Sequence, residues 1–409
     1  MTDNSSFPYV KTQKARYFCT MINMYSKNFW MLCLSMFLFM TSFNLILPEL
    51  NQLITNLGGA DKKGLIYTFF AITALLSRPF SGKLADTIGR KRVMYTGVAI
   101  AMLTSMLYPL SHTVFFFLGL RFLHGIGAGF MPTGATALVT DILPSDRRGR
   151  GMGIWGTFIS LGIGVGQSLG SPIANTFGMN NLFLFSAIFA VLSAILLGAV
   201  KETLPKETKE KFSFSHLKLS LKDIVEPSVW PCALVMFLSA ISSGIIFTIT
   251  PDISEYLGIS NKGWFFLFYT ISTIIVRLFS GGLSDNIGRR KTLVIGMVLL
   301  IIGVMMIALA TTWEIYTLAA VMFGFATGIS SPTIFSWTAD LSHPERRGVG
   351  SGTMFIALEA GFIVGSLSTL FTYDSTWSTV PIAFGFGAFM ALVSLVYLLW
   401  HLKYSISAT

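Results

Sequence analysis

Charged residues are scarce in this sequence: Asp, Glu, Lys and Arg make up 12% of its 409 residues, whereas hydrophobic residues make up 53%. A soluble domain usually carries about twice that share of charge, so a soluble enzyme or a soluble binding domain is excluded. Apolar runs of about 20 residues, the length that crosses a bilayer as a helix, recur along the whole chain. The composition therefore predicts a polytopic helical membrane protein.

Cysteine is also scarce, and motifs typical of several enzyme classes are missing. The three cysteines, Cys19, Cys33 and Cys232, lack the spacing of metal ligands, so free or buried thiols are expected. The sequence has no H-E-x-x-H zinc motif and no G-x-x-x-x-G-K-[ST] phosphate-binding loop. We therefore predict no enzyme activity, no bound metal or cofactor, and no ATP-driven step within this chain.

Twelve apolar segments long enough to span a membrane follow one another, with boundaries good to a few residues. They lie at about 29–50, 64–84, 93–111, 114–140, 151–174, 181–200, 229–250, 263–284, 292–311, 315–340, 350–372 and 379–402. The predicted fold class is all-α, with twelve transmembrane helices in two pseudo-symmetric six-helix bundles. The predicted domains are a cytoplasmic leader (1–28), an N-terminal bundle (29–200), a cytoplasmic linker (201–228) with a short surface helix around Phe212–Ile224, a C-terminal bundle (229–402) and a cytoplasmic tail (403–409).

The basic residues are divided unevenly between the two sides of the membrane. The net charge is +10, and the alternating loops place nearly all Lys and Arg on one side, together with both termini. The exceptions are Lys62, Lys63 and Lys262 on the other side, and Arg78, Arg121 and Arg277 inside spans. Cytoplasmic loops are enriched in Lys and Arg, so we predict a multi-pass protein of the inner (cytoplasmic) membrane with both termini in the cytoplasm. The basic excess then reflects topology and contact with membrane lipid, not nucleic-acid binding.

The chain repeats itself at a shift of 199 residues. RPFSGKLADTIGRKR (78–92) returns without a gap as RLFSGGLSDNIGRRK (277–291), with nine of fifteen positions identical. DILPSDRRGRGMG (141–153) aligns at the same shift with DLSHPERRGVGSG (340–352). The repeat predicts two six-helix halves in the same orientation. Parallel repeats of this kind hold a substrate path between them near the membrane midplane.

The repeated loop resembles the signature G-x-L-a-D-x-x-G-R-K/R of the major facilitator superfamily, and the resemblance covers the whole chain. The two copies read Gly82, Leu84, Asp86, Gly89, Arg90, Lys91 and Gly281, Leu283, Asp285, Gly288, Arg289, Arg290. The resemblance implies a secondary transporter that rocks one half against the other. It also implies that each Asp is a latch, pairing with basic groups and with a helix N-terminus of the other half when the cytoplasmic side is closed.

An alternative interpretation is that these charges fix only topology and turn shape. Arg78 and Arg277 occupy equivalent positions one turn before the two loops. We predict that both arginines are partners of the loops and that neither loop binds substrate.

Ionisable residues well inside a span are costly and usually functional. Glu359 is the one acid placed near the middle of a span, where it could carry a proton, bind a cationic substrate, or serve only helix packing. Arg121 matches the fourth-helix motif R-x-x-x-G-x-G of the family, which implies proton coupling or a structural bond to the first helix. The equivalent residue of the other half is Ala320, and this asymmetry favours a functional role. His124, one turn from Arg121, is expected to be a packed neutral histidine.

Four more polar residues complete the predicted site. Glu49 and Asp252 each follow a proline at the outer end of the first helix of a half, where they are expected to shape or gate the external mouth. Asn44 and Gln167 are uncharged groups at the depth expected for the cavity.

The fifth helix bears on the direction of transport. Antiporters of the family carry g-x-x-x-G-P-x-x-G-G there, and this chain has Gly162, Gly166 and Gly170 at matching spacing. Gln167 replaces the central Pro and Ser171 replaces the last Gly. The resemblance therefore favours the drug/metabolite:proton antiporter branch, although small residues at this spacing also allow close helix packing without any bearing on direction.

Three functional interpretations follow. The first is a proton-coupled efflux carrier of a small amphipathic or cationic compound, with Glu359 and Arg121 at the coupling centre. The alternative is a proton symporter importing an organic anion or sugar, in which Arg121 holds the substrate carboxylate. The third is a sensor or membrane enzyme on a transporter fold, for which neither a soluble output domain nor a reactive constellation is found. Protons are the expected coupling ion, with sodium as the other option, and the protein is expected to be a monomer.

Overall fold

The structure of the protein, a computed structural model, describes residues 25–144, 148–205, 207, 209–210, 212–213, 224–280, 283–343 and 347–406. These residues are mainly helical, and no strand occurs among them. Twelve helices are at least 17 residues long and are numbered in chain order. They are α1 (Lys27–Leu45), α2 (Lys63–Thr87), α3 (Arg90–Leu107), α4 (Val114–Ile142), α5 (Arg148–Phe177), α6 (Met179–Ala199), α7 (Trp230–Tyr256), α8 (Trp264–Ser280), α9 (Arg289–Ala308), α10 (Trp313–Leu341), α11 (Arg347–Thr372) and α12 (Val380–Ile406).

The predicted fold class, an all-α polytopic membrane protein, is confirmed. Ten helices of the described residues are long and apolar enough to cross a membrane. The other two long helices are α8, which has 17 residues, and α5, which carries Gly, Ser and Gln along its length. A helix satisfies its own backbone hydrogen bonds, which an apolar bilayer requires. The twelve helices therefore lie at the twelve predicted positions, while composition alone supports ten spans.

Glycines set the two sharp turns that precede α3 and α9. Gly89 has φ +118° and Gly288 has φ +90°, a backbone conformation that L side chains rarely adopt. Each glycine stands directly before the first residue of its helix. The repeated loop is consequently a tight turn in both places, and it fixes α2 against α3 and the short helix Leu283–Ile287 against α9.

The buried apolar residues divide according to the two sets of six helices. One cluster runs from Cys232 to Leu398 and belongs to α7–α12, the C-terminal half. The other clusters consist of residues between Tyr25 and Val200 and belong to α1–α6, the N-terminal half. The halves meet where α2 packs on α11 and where α5 packs on α8. The end of the molecule with the turns at Gly89 and Gly288 is called the loop end, and the other the opposite end.

Several predicted features lie outside the described residues. Gly281 is one of them, and so are most of the leader and most of the surface helix expected around 212–224. The domain boundaries stay predictions.

Candidate functional site

An ion pair joins the two halves inside the molecule. Arg78 on α2 donates from Nη2 to Oε1 of Glu359 on α11 at 2.6 Å. The two side chains are 20% and 12% exposed, and the Arg78 guanidinium also lies 5.0 Å from the centroid of the Phe355 ring. An ion pair in such a place is strong, because little water is available to solvate either charge if its partner is lost. The pair therefore binds α2 to α11.

Arg78 and Arg277, predicted to be partners of the loops, have partners elsewhere among the described residues. Arg78 points to Glu359, and Arg277 on α8 donates from Nη1 to the hydroxyl of Ser160 on α5 at 2.6 Å. Both contacts cross from one half to the other. The two repeated arginines thus lie at the two interfaces between halves, where α2 meets α11 and α5 meets α8. Spacing along the chain could not show this, since the Arg78 partner is 281 residues away.

Two further ion pairs join the halves at the opposite end. Lys63 of the N-terminal half lies 2.6 Å from Oδ2 of Asp252 in the C-terminal half. In return, Lys262 of the C-terminal half lies 3.5 Å from Oε2 of Glu49 in the N-terminal half. Both carboxylates are buried, with exposed fractions of 8% and 5%. The two predicted acids of the mouth therefore have lysines of the other half as partners.

Neutral donors complete the coordination of both carboxylates. Asp252 accepts hydrogen bonds from Nδ2 of Asn51 and from the hydroxyl of Tyr373, each at 2.9 Å. Glu49 accepts one from the hydroxyl of Ser171 at 2.6 Å. A buried charge needs such partners to offset its lost hydration. The opposite end is thus closed by two charged and hydrogen-bonded clusters.

Each lysine of these clusters is followed by a glycine that lies against the backbone of the other half. A Cβ on Gly64 would lie 2.3 Å from the carbonyl oxygen of Ser366 on α11, and one on Gly263 would lie 1.8 Å from that of Gln167 on α5. Lys63-Gly64 and Lys262-Gly263 are related by the 199-residue shift. From the sequence, the two lysines were expected to be topology signals only. The repeated Lys-Gly pair was the feature that would have indicated their role between the halves.

Arg121 is fully buried in the N-terminal half. Its Nε donates to the carbonyl oxygen of Ile66 on α2 at 3.2 Å, and its guanidinium lies 4.7 Å from the centroid of the Phe70 ring. Nη1 is 3.5 Å from the hydroxyl of Tyr108, which lies 3.1 Å from Nδ1 of His124. Nη2 has no hydrogen-bond partner among the described residues. Arg121 therefore binds α4 to α2, and the expected bond to the first helix is not among its contacts.

Asn44 and Gln167 are brought together, but as a contact between α1 and α5. Gln167 donates from Nε2 to Oδ1 of Asn44 at 3.2 Å, and both side chains are buried. Residues 166–170 read G-Q-S-L-G, which matches the pattern of a nucleophile elbow. They lie inside a long helix, whereas that pattern needs a strand-to-helix turn. The segment serves helix packing and offers no nucleophile.

The charges of the two repeated loops pair within their own halves. Asp86 lies 3.2 Å from Arg90, whose Nε is 3.2 Å from Asp141. In the second copy, Arg289 contacts Asp285 and lies 3.0 Å from Asp340. Gly82 has the Thr133 methyl 3.9 Å from the place of a Cβ. Asp86 and Asp285 make no contact with the other half within the described ranges.

The linker adds a carboxylate to the first loop. Glu202 accepts from the backbone N–H groups of Arg90 and Lys91, each at 3.2 Å. The first turn of a helix leaves such N–H groups without partners and favours negative charge. Glu202 therefore occupies the N-terminus of α3, a position that sequence reasoning did not foresee. Over the described residues, no group of three or more His, Cys, Asp or Glu side chains could hold a metal ion.

Comparison with known proteins agrees with this architecture. The sequence profile of the Major Facilitator Superfamily matches residues 32–260 and 232–406. Multidrug resistance protein 2 of Bacillus subtilis is 28% identical over 362 residues, covering 85% of this chain and 86% of the relative. The multi-drug resistance efflux pump PmrA homolog of Lactococcus lactis is 27% identical over 339 residues, covering 78% of this chain and 82% of the relative.

Solved structures share the fold at lower identity. The human organic anion transporter MFSD10 (TETRAN) superposes with a TM-score of 0.70 at 19% identity, covering 90% of this chain and 98% of that one. A peptide transporter POT in complex with sulfate superposes with a TM-score of 0.77 at 15% identity, covering 92% and 94%. The profile match spans both halves, so the chain belongs to the major facilitator superfamily of membrane transporters.

Proposed function

We propose that this chain is a proton-coupled efflux carrier that exchanges external protons for a small amphipathic or cationic compound by alternating access. The observation that carries the proposal is the half-buried ion pair between Arg78 and Glu359, which links the two halves at 2.6 Å. Relatives named as multi-drug resistance efflux pumps support the same direction of transport.

The ion pair gives protonation a mechanical consequence. When Glu359 takes up a proton, the charge that holds Arg78 disappears and α2 is freed from α11. Restoring the carboxylate restores the attraction between the halves. Residual exposure of 12% at Glu359 leaves a route for the proton. A proton thus acts as a ligand that favours one of two arrangements of the halves.

A cationic compound competes for the same carboxylate. It replaces Arg78 as the partner of Glu359, and a proton later replaces the compound. Occupancy by one excludes the other, which is the requirement for exchange in opposite directions. Intramembrane acids commonly serve such ion pathways.

The arrangement of the ends supports uptake from the side that the topology predicts to be cytoplasmic. At the opposite end, Lys63 and Lys262 close the mouth on Asp252 and Glu49. At the loop end, Asp86 remains 70% exposed and pairs only within its half. Carriers with parallel repeats rock their halves about the site. We propose that the lysine pairs open and the loop charges engage the other half when the compound leaves.

Arg121 acts as a positioning residue in this proposal. Its bond to the Ile66 carbonyl holds the part of α2 that carries Lys63 and Gly64. Loss of Arg121 would loosen the gate at the opposite end and uncouple it from Glu359. The carrier is proposed to act as a monomer surrounded by lipid, with the loop end in the cytoplasm.

The test uses purified protein in liposomes that contain a pH-sensitive dye, with tetraphenylphosphonium as the cationic probe. We expect an imposed proton gradient to drive the cation and protons in opposite directions, and Glu359→Gln to abolish the coupled proton movement. Glu314→Gln is the matched control, because Glu314 is an exposed acid at the start of α10.

Three results would overturn parts of the proposal. Proton movement in the same direction as a tested organic anion or sugar would favour the symporter. Coupled movement of equal rate in Glu359→Gln and wild type would remove this carboxylate from the mechanism. A sodium-dependent signal without a proton signal would show that sodium, and not the proton, is the coupling ion.

A further inference from the structure

The C-terminal half contains a recess that the groups above do not use. It has a volume of about 60 Å³ and lies between α7, α9, α10 and α11. Its hydroxyl groups come from one face of α7 and one face of α10: Ser239, Ser243, Thr327, Ser330 and Ser331. Leu358, the residue before Glu359, also lines it. The recess therefore borders the segment of α11 that carries Glu359, to which the exported cation is proposed to bind.

The recess has a polar rim and a polar floor. Ser239, Ser243, Thr327 and Ser331 are half-buried at the rim. Ser330 forms the floor at 6% exposure; its Oγ is buried against Gly296 of α9 and has no hydrogen-bond partner among the described residues. Buried polar groups are normally satisfied, and the exceptions often mark a site of unseen water or ligand. Ser330 thus brings an unused hydrogen-bonding group to the residues that line the recess.

Two of the rim hydroxyls can still accept hydrogen bonds. Ser239 donates to the carbonyl oxygen of Met236 at 3.0 Å, and Thr327 donates to that of Phe323 at 3.1 Å. Their lone pairs are therefore left for a donor in the recess, while Ser330 can donate or accept. None of the side chains that line the recess, all within the described residues, is ionisable. The matching group is uncharged and both donates and accepts.

The N-terminal half supplies an internal reference for the recess. At the 199-residue shift, Ser330 corresponds to Met131, which is fully buried in the core of its half. The neighbouring helices lie closer in the N-terminal half, since a Cβ on Gly97 would lie 2.8 Å from the Cβ of Met131 and one on Gly296 would lie 3.4 Å from the Cβ of Ser330. The recess thus lies where the C-terminal half combines a short serine with a wider helix separation, in place of the long methionine of the other half.

The rest of the lining follows the same contrast. The counterparts of the four rim residues in the N-terminal half carry no hydroxyl group: Met40, Asn44, Ala128 and Pro132. Two halves of common ancestry therefore differ here in one consistent respect: the lining positions of the C-terminal half carry hydroxyl groups and their counterparts do not.

We infer that this recess binds a compact alcohol group of the exported compound while Glu359 binds its positive charge. This inference rests on the proposed function and names the substrate class as amphipathic cations that carry a hydroxyl group. A volume of about 60 Å³ exceeds the roughly 10–15 Å³ of cavity that one water molecule needs, so the recess holds more than one. A hydroxyalkyl group fills such a space and replaces the hydrogen bonds of the waters that it displaces.

Calorimetric binding to the purified protein tests the inference with two isosteric cations. The probes are benzyl(2-hydroxyethyl)dimethylammonium and benzyl(propyl)dimethylammonium, which differ only by a hydroxyl in place of a methyl group. We expect the hydroxyl compound to bind wild type up to about tenfold more tightly, the effect of about one hydrogen bond. Ser330→Ala should reduce this ratio, and Ser330→Met, which fills the recess, should bring it to about one.

The control is Ser394→Ala on α12. Ser394 is also fully buried with an unpartnered Oγ, but it does not line the recess. It should leave the wild-type ratio unchanged. An equal ratio in wild type and Ser330→Met would overturn the inference, even if both proteins carry out normal proton-coupled efflux.

Thiol labelling tests, independently of transport, whether the recess admits a hydroxyalkyl group. Ser330→Cys is introduced after the three native cysteines are replaced by alanine. We expect 2-hydroxyethyl methanethiosulfonate to modify it, benzyl methanethiosulfonate to fail, and the hydroxyl compound to slow the reaction. Equal modification by both reagents, or none by either, would overturn the inference. If neither cation binds wild type, the proposed efflux of this class fails, whereas labelling still reports on the recess.

Discussion

The carboxylate of Glu359 and the guanidinium of Arg78 have each other as ion-pair partner, and neither has a second one among the described residues. Their distance of 2.6 Å and exposed fractions of 12% and 20% leave little water for either alone. Removing one member of such a pair leaves an uncompensated charge, whereas removing both does not. Stability and mechanism at this position should therefore respond differently to single and double substitutions.

We expect Arg78→Gln to lower the free energy of unfolding in detergent by about 2 kcal/mol, as for a lost hydrogen bond to a charged group. The double variant Arg78→Gln/Glu359→Gln should recover at least half of that loss. Thermal unfolding followed by tryptophan fluorescence measures both, with Glu314→Gln as the control. Losses that simply add would show that the two residues are not coupled.

Residue roles were only partly predictable from the sequence. Glu359 could be found because an acid inside an apolar helix is conspicuous by itself. Its partner could not, because the ion pair with Arg78 depends on how α2 packs against α11. For the same reason Asn44 and Gln167 were identified as polar groups inside the bundle, but their bond to each other was not.

At the level of the helices, two glycines determine how closely the halves approach. Gly64 lets α2 touch α11, and Gly263, just before α8, lets this end of α8 touch α5. Small residues allow such close packing of membrane helices. The helices themselves were predictable from apolar length, whereas these contacts required the packing of segments distant in sequence.

We expect Gly263→Val to force the opposite end apart, because its Cβ would lie 1.8 Å from the Gln167 carbonyl oxygen. Spin labels at Asn56 and Ser260, exposed residues of the two halves, should move apart by several ångströms. Gly119→Ala is the control, since nothing lies within 4 Å of its Cβ. An unchanged distance in Gly263→Val would show that the contact does not hold this end closed.

For the molecule as a whole, the question is which end is held shut. The two lysine clusters should contribute unequally to holding the opposite end closed, since Lys63 lies 2.6 Å from Asp252 and Lys262 lies 3.5 Å from Glu49. We expect Lys63→Met to shift the same spin-label distance toward the open form more than Lys262→Met. Lys62→Met should have no effect, because Lys62 pairs only with its exposed neighbour Asp61. An effect of Lys62→Met as large as that of Lys63→Met would contradict this assignment.

The loop end should matter in the other half of the cycle. Asp86 is exposed in this conformation, so Asp86→Asn should leave membrane insertion and the closed opposite end unchanged. It should slow transport in liposomes, because a contact of the alternative conformer is lost. The exposed residue Asp61, replaced by Asn, serves as the control. Normal turnover in Asp86→Asn would show that the charges of this loop fix membrane topology only.

The contacts of the opposite end are exchanged between the halves: a lysine from each reaches an acid of the other, and a glycine from each touches the other. An interface in which patch A meets patch B and B meets A is the kind that a twofold dimer forms from identical subunits. Two separate copies of a six-helix ancestor would thus have been able to form the same contacts and close this end. In evolutionary terms, the mouth could have closed before gene fusion joined the halves, and the hydroxyl-lined recess in one half would then be a later departure from symmetry.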